Sequence, residues 1–189
     1  MRNVRGILFL DYVRILRRSG AKHLSTYLSP EDLILLGQQI DLGTWYPMDT
    51  FERFGLAILG EVVGRDVDAI RRWGHSQIPP MLSFFPGLCA DADPRDTIIR
   101  FGNLMGSLFD FDAVTVEAVD DASASIRIAY GMSAAAEEAA SWQTLGFFEA
   151  LVEAAGGVEV EGTFIEKGWE RPKWATALEL SWSRPPPKP

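Results

Sequence analysis

The sequence predicts an α+β fold, in which a helical N-terminal half precedes a four-stranded antiparallel sheet with a long helix packed on it. Apolar residues first recur at the helical period, from the segment that starts at Gly6 to the segment that ends at Phe111. Shorter segments then alternate apolar and polar residues, as strands do. Because helices and strands are separated along the chain, the strands are expected to pair antiparallel. The predicted order of the second half is strand–strand–helix–strand–strand.

The first helix is predicted in the segment GILFLDYVRILRRSG. Its apolar side chains recur every three or four residues and so share one face of a helix. Arg17 and Arg18 suit the C-terminal end of a helix dipole, and Gly20 suits the residue that ends it. The residues predicted for the apolar face are Ile7, Leu8, Tyr12, Ile15 and Leu16, with Arg14, Arg17 and Arg18 opposite.

Two further helices are predicted from their first residues. Ser29 is an N-cap candidate before Pro30, and Asp32 falls near the third helical position. Asp93 is a similar cap for the segment that Pro94 opens, which runs on through RDTIIRFGNLMGSLFDF. A hydroxyl or carboxylate oxygen at the N-cap accepts a hydrogen bond from a free amide of the first turn, and proline loses nothing there because that amide has no intrahelical partner.

The middle of the helical half is predicted to hold two more segments. PMDTFERFGLAILGEVVG is expected to be capped by Asp49 or Thr50 and to end at Gly64. The residues that follow its helical period are Phe51, Phe54, Ile58 and Val62. The next segment starts near Asp66, and Pro79 and Pro80 must break or kink it, since proline removes an amide donor and clashes with the preceding turn.

The strands are predicted from alternation and from the turns between them. AVTVEAV and ASIRIAYG alternate, and Asp120 with Asp121 suits a hairpin turn between them. SAAAEEAASWQTLGFFEALVEAAG is rich in alanine and glutamate and ends in glycines, so it predicts a long helix. GVEVEGTFIEKG and KWATALELSW then predict two more strands, which completes the sheet.

Length and composition bound the organisation of the chain. Its 189 residues are enough for one domain with a sizeable core, which we predict over residues 1–183. The Pro-rich segment 184–189 is predicted to be an extended tail, either a frayed end or a ligand for a partner. The single cysteine, Cys89, allows no intramolecular disulfide, and no signal pattern or bilayer-length apolar run is present. These features predict a cytoplasmic protein without a membrane partner.

The charge distribution argues against one class of partner and leaves another open. A net charge of −8 gives no basic footprint for nucleic acid. The first segment is nevertheless basic, through Arg2, Arg5, Arg14, Arg17, Arg18 and Lys22. This face is either the solvated end of a helix or a small surface that contacts an acidic partner.

No catalytic constellation can be assembled from the sequence. His23 and His75 lie far apart without ligands at metal spacing, and Cys89 has acidic rather than basic neighbours. No serine-hydrolase motif or phosphate loop occurs. The carboxylate pair Glu137–Glu138 is expected on a helix surface. We therefore predict a protein that is not an enzyme. The chain is rich in aromatic residues, with six tryptophans and eleven phenylalanines. This indicates core packing, an oligomer interface or a ligand cavity.

Three segments resemble a large paralogous bacterial family of unknown function. They are VRGILFLDYVRILRRSG, LSPEDLILLGQQI and TWYPMDTFERFGLAI, and the family has a similar KGILF segment, a similar WYP step before a helix and a final strand like ALELSW. The order of elements also resembles the heme nitric-oxide-binding domains, the 4-vinyl reductase domains and the Bet3-like TRAPP subunits. This resemblance implies helices before a four-stranded antiparallel sheet with a helix packed on it.

The departures from these families bear on cofactors. In the heme-binding members an NLxxLH-like segment carries the histidine that ligates iron, and in NLMGSLF that position falls on Leu108. The YxSxR motif that holds heme propionates is also missing, because Tyr130 and Ser133 are not followed by the needed arginine. The last hairpin lacks the cysteines of many 4-vinyl reductase domains. The sequence therefore predicts no cofactor and no metal.

The leading functional hypothesis is a signalling or interaction module that binds a protein partner or forms a homodimer. The step formed by Trp45, Tyr46 and Pro47 is expected to direct the chain into the helix that follows. The candidate interaction residues are Trp45, Tyr46, Arg14, Arg17 and Arg18. The alternative is a sensor for a small apolar ligand held between the helices and the sheet. Its candidate lining residues are Phe101, Leu104, Met105, Leu108 and Tyr130.

Overall fold

The computed structural model describes residues 2–64, 66–171 and 175–184. The chain divides into two compact units, the first formed by Met1–Asp66 with Gly106–Asp112 and the second by Val67–Met105 with Ala113–Pro189. The α+β class is confirmed, with a helical first half and the predicted order of strands around a long helix. A single domain over residues 1–183 stays a prediction. The predicted tail falls outside the described residues except for Arg184.

The first unit contains helices and a small two-stranded sheet. The elements are β1 (Asn3–Arg5), α1 (Gly6–Ser19), α2 (Pro30–Gly37), β2 (Trp45–Pro47) and α3 (Met48–Ile58), with a π-helical turn at Leu59–Val63. Strands β1 and β2 pair antiparallel, with Val4 opposite Tyr46. Sequence reasoning missed this pairing, because three-residue strands are too short to show alternation.

The core of the first unit is an aromatic cluster around Phe9, which is fully buried. Its ring centroid lies 4.8 Å from that of Phe54 and 5.0 Å from that of Tyr46. The buried stripe of α1 therefore includes Phe9 and Val13 with Tyr12 and Leu16. The predicted face was wrong in part, since Ile7, Leu8 and Ile15 are only half-buried. Helical spacing predicts that an apolar stripe exists but not its exact orientation about the helix axis. That orientation depends on the aromatic rings against which the helix packs.

The helix starts were predicted with mixed success. Ser29 caps α2, and its hydroxyl accepts a hydrogen bond from the amide of Asp32 (3.2 Å), whose carboxylate in turn accepts from the amide of Ser29 (2.9 Å). Asp49 and Thr50 do not cap α3, because the N-cap residue is Pro47. The amide of Met48 donates instead to the carbonyl of Arg2 (2.9 Å), so strand pairing carries the chain directly into the helix.

The π-helical turn explains a second error in this unit. Phe51, Phe54 and Ile58 are buried as predicted, but Val62 is 41% exposed. A π turn holds more residues than an α turn, so it moves the following positions off the apolar stripe. The segment ends before Gly64, as the sequence indicated.

The second unit places helices and one antiparallel sheet around a long helix. The helices are α4 (Val67–Ser76), α5 (Ile78–Phe84), α6 (Pro94–Leu108, of which residues up to Met105 belong here) and α7 (Ala134–Ala154). The strands are β3 (Val114–Val119), β4 (Ser123–Ile128), β5 (Val158–Glu166) and β6 (Thr176–Ser183). The sheet order is β3-β4-β6-β5, with Ile126 and Phe164 each opposite Leu178.

Local signals in the second unit were read correctly. Pro79 and Pro80 separate α5 from α4 and stand in the first turn of α5. Asp93 accepts a hydrogen bond from the amide of Asp96 (3.1 Å) where Pro94 opens α6. The β3–β4 hairpin turns at Asp120, whose carboxylate accepts from the amide of Ser123 (2.8 Å). Each signal depends on atoms within a few residues of one another, which is why sequence alone could find it.

Helix α7 is held against α4 by a close backbone approach. A Cβ atom added at Gly74 would lie 2.0 Å from the carbonyl oxygen of Gln143, and one added at Gly146 would lie 2.0 Å from that of Arg71. Only glycine allows two helices to meet this closely, because any larger residue would force the backbones apart. The two glycines thereby fix α4 on the surface of α7.

Candidate functional site

The predicted ligand-lining residues on α6 are largely buried. Phe101 and Met105 are 5% and 9% exposed, and Leu104 is half-buried. Within the second unit, the ring of Phe101 lies 4.8 Å from Phe147 and 5.3 Å from Phe148, both on α7. Leu108, the last residue of α6, belongs to the first unit and is 1% exposed. The surroundings of Phe101 are therefore aromatic side chains of the same unit.

Tyr130, the fifth predicted lining residue, contacts the same helix. Its hydroxyl lies 2.7 Å from the hydroxyl of Thr144, which donates in turn to the carbonyl of Ala140 (2.7 Å). Burial raises the pKa of Tyr130, so its phenol stays protonated at neutral pH. Thr144 and Phe147 are one turn apart on α7, so the structure brings Tyr130 and Phe101 against neighbouring positions of that helix.

A buried carboxylate holds the segment that follows β4. Glu137 is 8% exposed, and its two carboxylate oxygens accept hydrogen bonds from the amides of Tyr130 and Met132, each at 2.8 Å. The prediction that Glu137 lies on a helix surface was wrong. The backbone amides of the preceding segment offer it two donors, and such bonds offset the loss of water. This acid stands beside the segment in which the heme-binding families carry an arginine.

A second buried carboxylate was not anticipated by the sequence reasoning. Glu149 is 2% exposed, and Arg71 donates to both of its oxygens, at 2.6 Å and 2.5 Å. The amide of Gly162 on β5 donates to the same carboxylate (3.1 Å). The hydrogen bonds from Arg71 to Glu149 raise the pKa of Arg71. The sequence signal that could have indicated this burial is an acid inside the apolar run GFFEALV. In the structure, the carboxylate joins α4, α7 and β5.

The candidate interaction residues of β2 have structural contacts in the first unit. The guanidinium of Arg5 lies 3.9 Å from the ring centroid of Trp45. The ring of Tyr46 packs on Phe9, and its hydroxyl accepts a hydrogen bond from the amide of Asp41 (3.1 Å). The aromatic step is thus a strand whose side chains join β1, α1 and the loop before it, and it leads into α3.

The three candidate arginines of α1 lie on an exposed face. Arg14, Arg17 and Arg18 are all exposed, at helical spacings of three and four residues. Arg17 donates to the carbonyl oxygen of Leu36 (2.6 Å) and to that of Gln38, at the C-terminal end of α2. The basic face of α1 therefore borders α2.

Helix α2 combines a buried acid with two exposed aliphatic side chains, which the sequence reasoning did not find. Its only buried residue is Asp32, which is 3% exposed, while Leu33 is 39% and Ile34 is 63% exposed. Arg53 of α3 donates to both carboxylate oxygens of Asp32, at 2.5 Å and 2.9 Å. Burial alone would raise the pKa of Asp32, but the hydrogen bonds from Arg53 and from the Ser29 amide outweigh it and lower that pKa.

The groups most often found in metal and catalytic sites are dispersed. His23 is exposed, and His75 lies with its Nδ1 3.9 Å from a carboxylate oxygen of Glu153. Burial raises the pKa of the Cys89 thiol, which disfavours the nucleophilic thiolate. Among residues 2–64, 66–171 and 175–184, no group of three or more histidine, cysteine, aspartate or glutamate side chains is placed to hold a metal ion. No helix in this same part of the chain is long and apolar enough to cross a membrane.

Comparison with known proteins finds similarity in structure alone. No family model matches the chain, and no curated protein matches it. The Fe(II) unliganded H-NOX protein from K. algicida is similar with a TM-score of 0.65 at 14% identity, over 96% of this chain and 97% of that one. An oxygen-binding H-NOX domain related to soluble guanylate cyclases, solved as the oxygen complex, gives 0.63 at 13% identity, over 96% of both chains. A point mutant of the T. tengcongensis H-NOX gives 0.62 at 13%, over 96% of this chain and 98% of that one.

A heme held by the histidine of the heme-binding families does not fit the residues present. By the resemblance of NLMGSLF to the heme-binding segment, the ligand position on α6 falls on Leu108, whose hydrocarbon side chain has no atom that coordinates iron. Neither histidine lies on α6, and the segment after β4 has no arginine and donates its amides to Glu137 of α7. The comparisons and the topology together establish that this chain has the fold of H-NOX domains.

Proposed function

We propose that this chain is a non-enzymatic signalling domain that uses the H-NOX fold without a histidine-ligated heme and acts through contact with another protein or a second copy. The observation that supports this most directly is Leu108, a buried leucine at the α6 position where the heme-binding families carry the iron ligand. Loss of the ligand removes gas sensing by that route and leaves the scaffold for interactions. Fold alone does not assign a function, so the argument depends on this position.

The buried acids support the non-enzymatic part of the proposal. Asp32, Glu137 and Glu149 each accept at least two hydrogen bonds from amides or an arginine. A general acid needs a proton to give and access to substrate. The oxygens of these carboxylates are instead occupied by donors of the fold, so the three acids serve to join its elements.

The experiment that tests this proposal is an absorbance spectrum and native mass spectrum of protein purified from its own host, followed by titration with hemin. We expect no Soret band, no one-to-one heme adduct, and a mass that corresponds to a dimer or to a complex with a co-purified protein. Leu108→His is the matched variant, and a Soret band that appears only in this variant would tie the missing heme to that residue. A stoichiometric Soret band in the unaltered protein, or a clean monomer with no partner at high concentration, would contradict the proposal.

A sensor for a small, mostly apolar ligand is the second candidate, and one observation favours it. The indole nitrogen of Trp182 on β6 is buried and has no hydrogen-bond partner among the described residues. An unpaired buried donor costs free energy, and a ligand with one acceptor atom would recover it. The test is a thermal-shift screen with apolar compounds, compared between the unaltered protein and Trp182→Phe. Shifts that are equal in both proteins, or absent in both, would count against a ligand at this donor.

A further inference from the structure

Helix α2 presents apolar side chains outward while its acid is buried. Leu33 and Ile34 are 39% and 63% exposed, and Leu35 and Leu36 are half-buried. A helix at the surface of a globular protein normally turns its apolar side inward and its charges outward. Leu35 and Leu36 lie three and four residues after Asp32 and so share its inward side, but the exposure of Leu33 and Ile34 needs an explanation.

The ion pair with Arg53 prevents α2 from turning this side inward. Asp32 accepts from two nitrogen atoms of Arg53 and from the amide of Ser29, and these bonds fix the rotation of the helix about its axis. Turning Ile34 inward would carry the carboxylate away from all three donors. The outward apolar face, which we call the α2 face (Leu33 and Ile34), is therefore held in place by the fold.

Positive charge borders the α2 face on one side. The guanidinium of Arg17 contacts the carbonyl of Leu36 at the end of α2, and Arg14 and Arg18 lie on the same side of α1, one turn before it and one residue after it. All three arginines are exposed. The surface thus combines aliphatic side chains with adjacent guanidinium groups.

We propose that the α2 face and the arginines of α1 form a docking surface for an acidic amphipathic helix of a partner protein. Aliphatic residues on one side of that helix would contact Leu33 and Ile34, and flanking aspartate or glutamate side chains would pair with Arg14, Arg17 and Arg18. Charge complementarity selects this occupant. A second copy would bring the same arginines to a face-to-face contact, where like charges repel. This inference deepens the proposed function and depends on it.

The size of the surface sets the kind of complex. Helix α2 has eight residues and is thus about 12 Å long. A surface of this size buries less area than a permanent interface. The complex is accordingly weak and exchanges rapidly, and its affinity falls as salt screens the arginine contacts.

The test uses the full chain and a displayed library of 16-residue helical peptides. Each peptide carries leucine or isoleucine at helical spacing on one side, with flanking positions drawn from aspartate, glutamate, serine, lysine and arginine. Selection against the unaltered protein is expected to enrich aspartate and glutamate at the flanking positions. Peptides selected in this way are expected to lose at least tenfold in affinity for Ile34→Glu and for Arg14→Glu/Arg18→Glu.

Matched controls come from the second unit. Ile165 on β5 is 57% exposed, so Ile165→Glu makes the same chemical change away from the α2 face. Arg95→Glu does the same for a half-exposed arginine on α6. Both controls should bind the selected peptides as the unaltered protein does. Circular dichroism should show all four variants folded, since every altered side chain reaches solvent.

Several results would overturn the proposal. They are enrichment of basic or neutral flanks, no enrichment, or equal binding by Ile34→Glu. Binding to phosphatidylserine vesicles that Ile34→Glu abolishes, without peptide binding, would assign the surface to an anionic membrane. A dimer that becomes a monomer in Ile34→Glu would assign it to a second copy. If the library fails while the hemin titration still shows no Soret band, the docking surface is wrong and the heme-free signalling domain stands.

Discussion

Helices α2 and α7 each contain a buried carboxylate that forms an ion pair with an arginine. The two ion pairs have different structural roles. Glu149 of α7 accepts from Arg71 and from the backbone of β5, inside a helix that is buried over most of its length. Asp32 of α2 accepts from Arg53 and Ser29 and is the only buried residue of its helix. In α7 the acid joins elements that pack on every side. In α2 it holds one side of a helix inward and leaves Leu33 and Ile34 facing outward.

The difference shows that a buried ion pair is informative only together with its surroundings. Around Glu149 the neighbours are apolar side chains and two glycines that bring α4 within backbone contact, so the pair belongs to a core. Around Asp32 the rest of the helix reaches solvent. Substitutions in these two regions should therefore differ in their effect on the free energy of unfolding. Four predictions test this difference, in order from the largest expected effect to the smallest.

Gly74→Ala should have the largest effect, because its new Cβ would meet the carbonyl oxygen of Gln143 at 2.0 Å and the backbone cannot yield without separating α4 from α7. We expect a loss of about 3 kcal/mol in the free energy of unfolding. Gly37→Ala at the end of α2 is the control, since no atom lies within 4 Å of its added Cβ. It should change stability by less than about 1 kcal/mol. Urea unfolding measures both, and similar losses would remove the contrast between the two helices.

The next largest losses in the free energy of unfolding are expected when the two buried acids are removed. Glu149→Ala should cost about 3 kcal/mol, since it leaves a cavity and takes the acceptor from Arg71 and from the Gly162 amide. Asp32→Ala should cost about 2 kcal/mol. The loss is smaller because Arg53 is 36% exposed, so water can replace some of the hydrogen bonds that its guanidinium loses. Chemical denaturation at pH 7 provides the comparison. A larger loss for Asp32→Ala would mean that α2 is a core element.

The pH dependence of stability should identify the Asp32 pair. The pKa of Asp32 is lower in the folded state, so its stabilisation is complete above its unfolded pKa of about 3.9 and is lost as the pH falls through the folded pKa. The difference in unfolding free energy between the unaltered protein and Asp32→Asn should accordingly shrink between pH 6 and pH 2.5. Denaturation curves at both pH values test this, and an unchanged difference would mean that the charge of Asp32 contributes nothing.

The smallest change in stability is expected at the α2 face. Ile34→Glu should alter the free energy of unfolding by less than about 0.5 kcal/mol, because a side chain that is 63% exposed loses little packing. Leu151→Glu on α7 is the contrasting variant, since Leu151 is fully buried and the charge would have no partner there. It should prevent folding or reduce the melting temperature strongly. A large loss for Ile34→Glu would show that the α2 face belongs to the core.

Most signals that depend on neighbouring residues were read correctly from the sequence, although the cap expected at Asp49 or Thr50 was wrong. The capping of α2 by Ser29, the start of α6 at Pro94 and the hairpin at Asp120 each use atoms a few residues apart. The strand pattern predicted all four strands of the sheet and their antiparallel pairing. The α+β class followed from the separation of helices and strands along the chain.

Features that depend on distant residues were missed or misplaced. The pairing of β1 with β2 places Val4 opposite Tyr46, and no local sequence pattern predicts this pairing. The inward side of α1 was rotated in the prediction, because spacing alone does not say which stripe meets Phe54. The burial of Glu137 was also missed, since its donors belong to backbone that only the folded chain brings near it.

By itself, the sequence determined the class of the fold, the order of the strands of the four-stranded sheet around the long helix, the starts of α2 and α6, the turn at Asp120, and the absence of a histidine at the α6 position of Leu108. These properties depend on residue type and short spacing, which the linear chain already contains. Tertiary structure alone decided that Asp32 turns inward against Arg53, that Glu149 joins α7 to Arg71, and that Ile34 faces outward. The physical reason is that burial and pairing are set by atoms far apart in the chain, and a partner 21 or 78 residues away has no signature in local spacing.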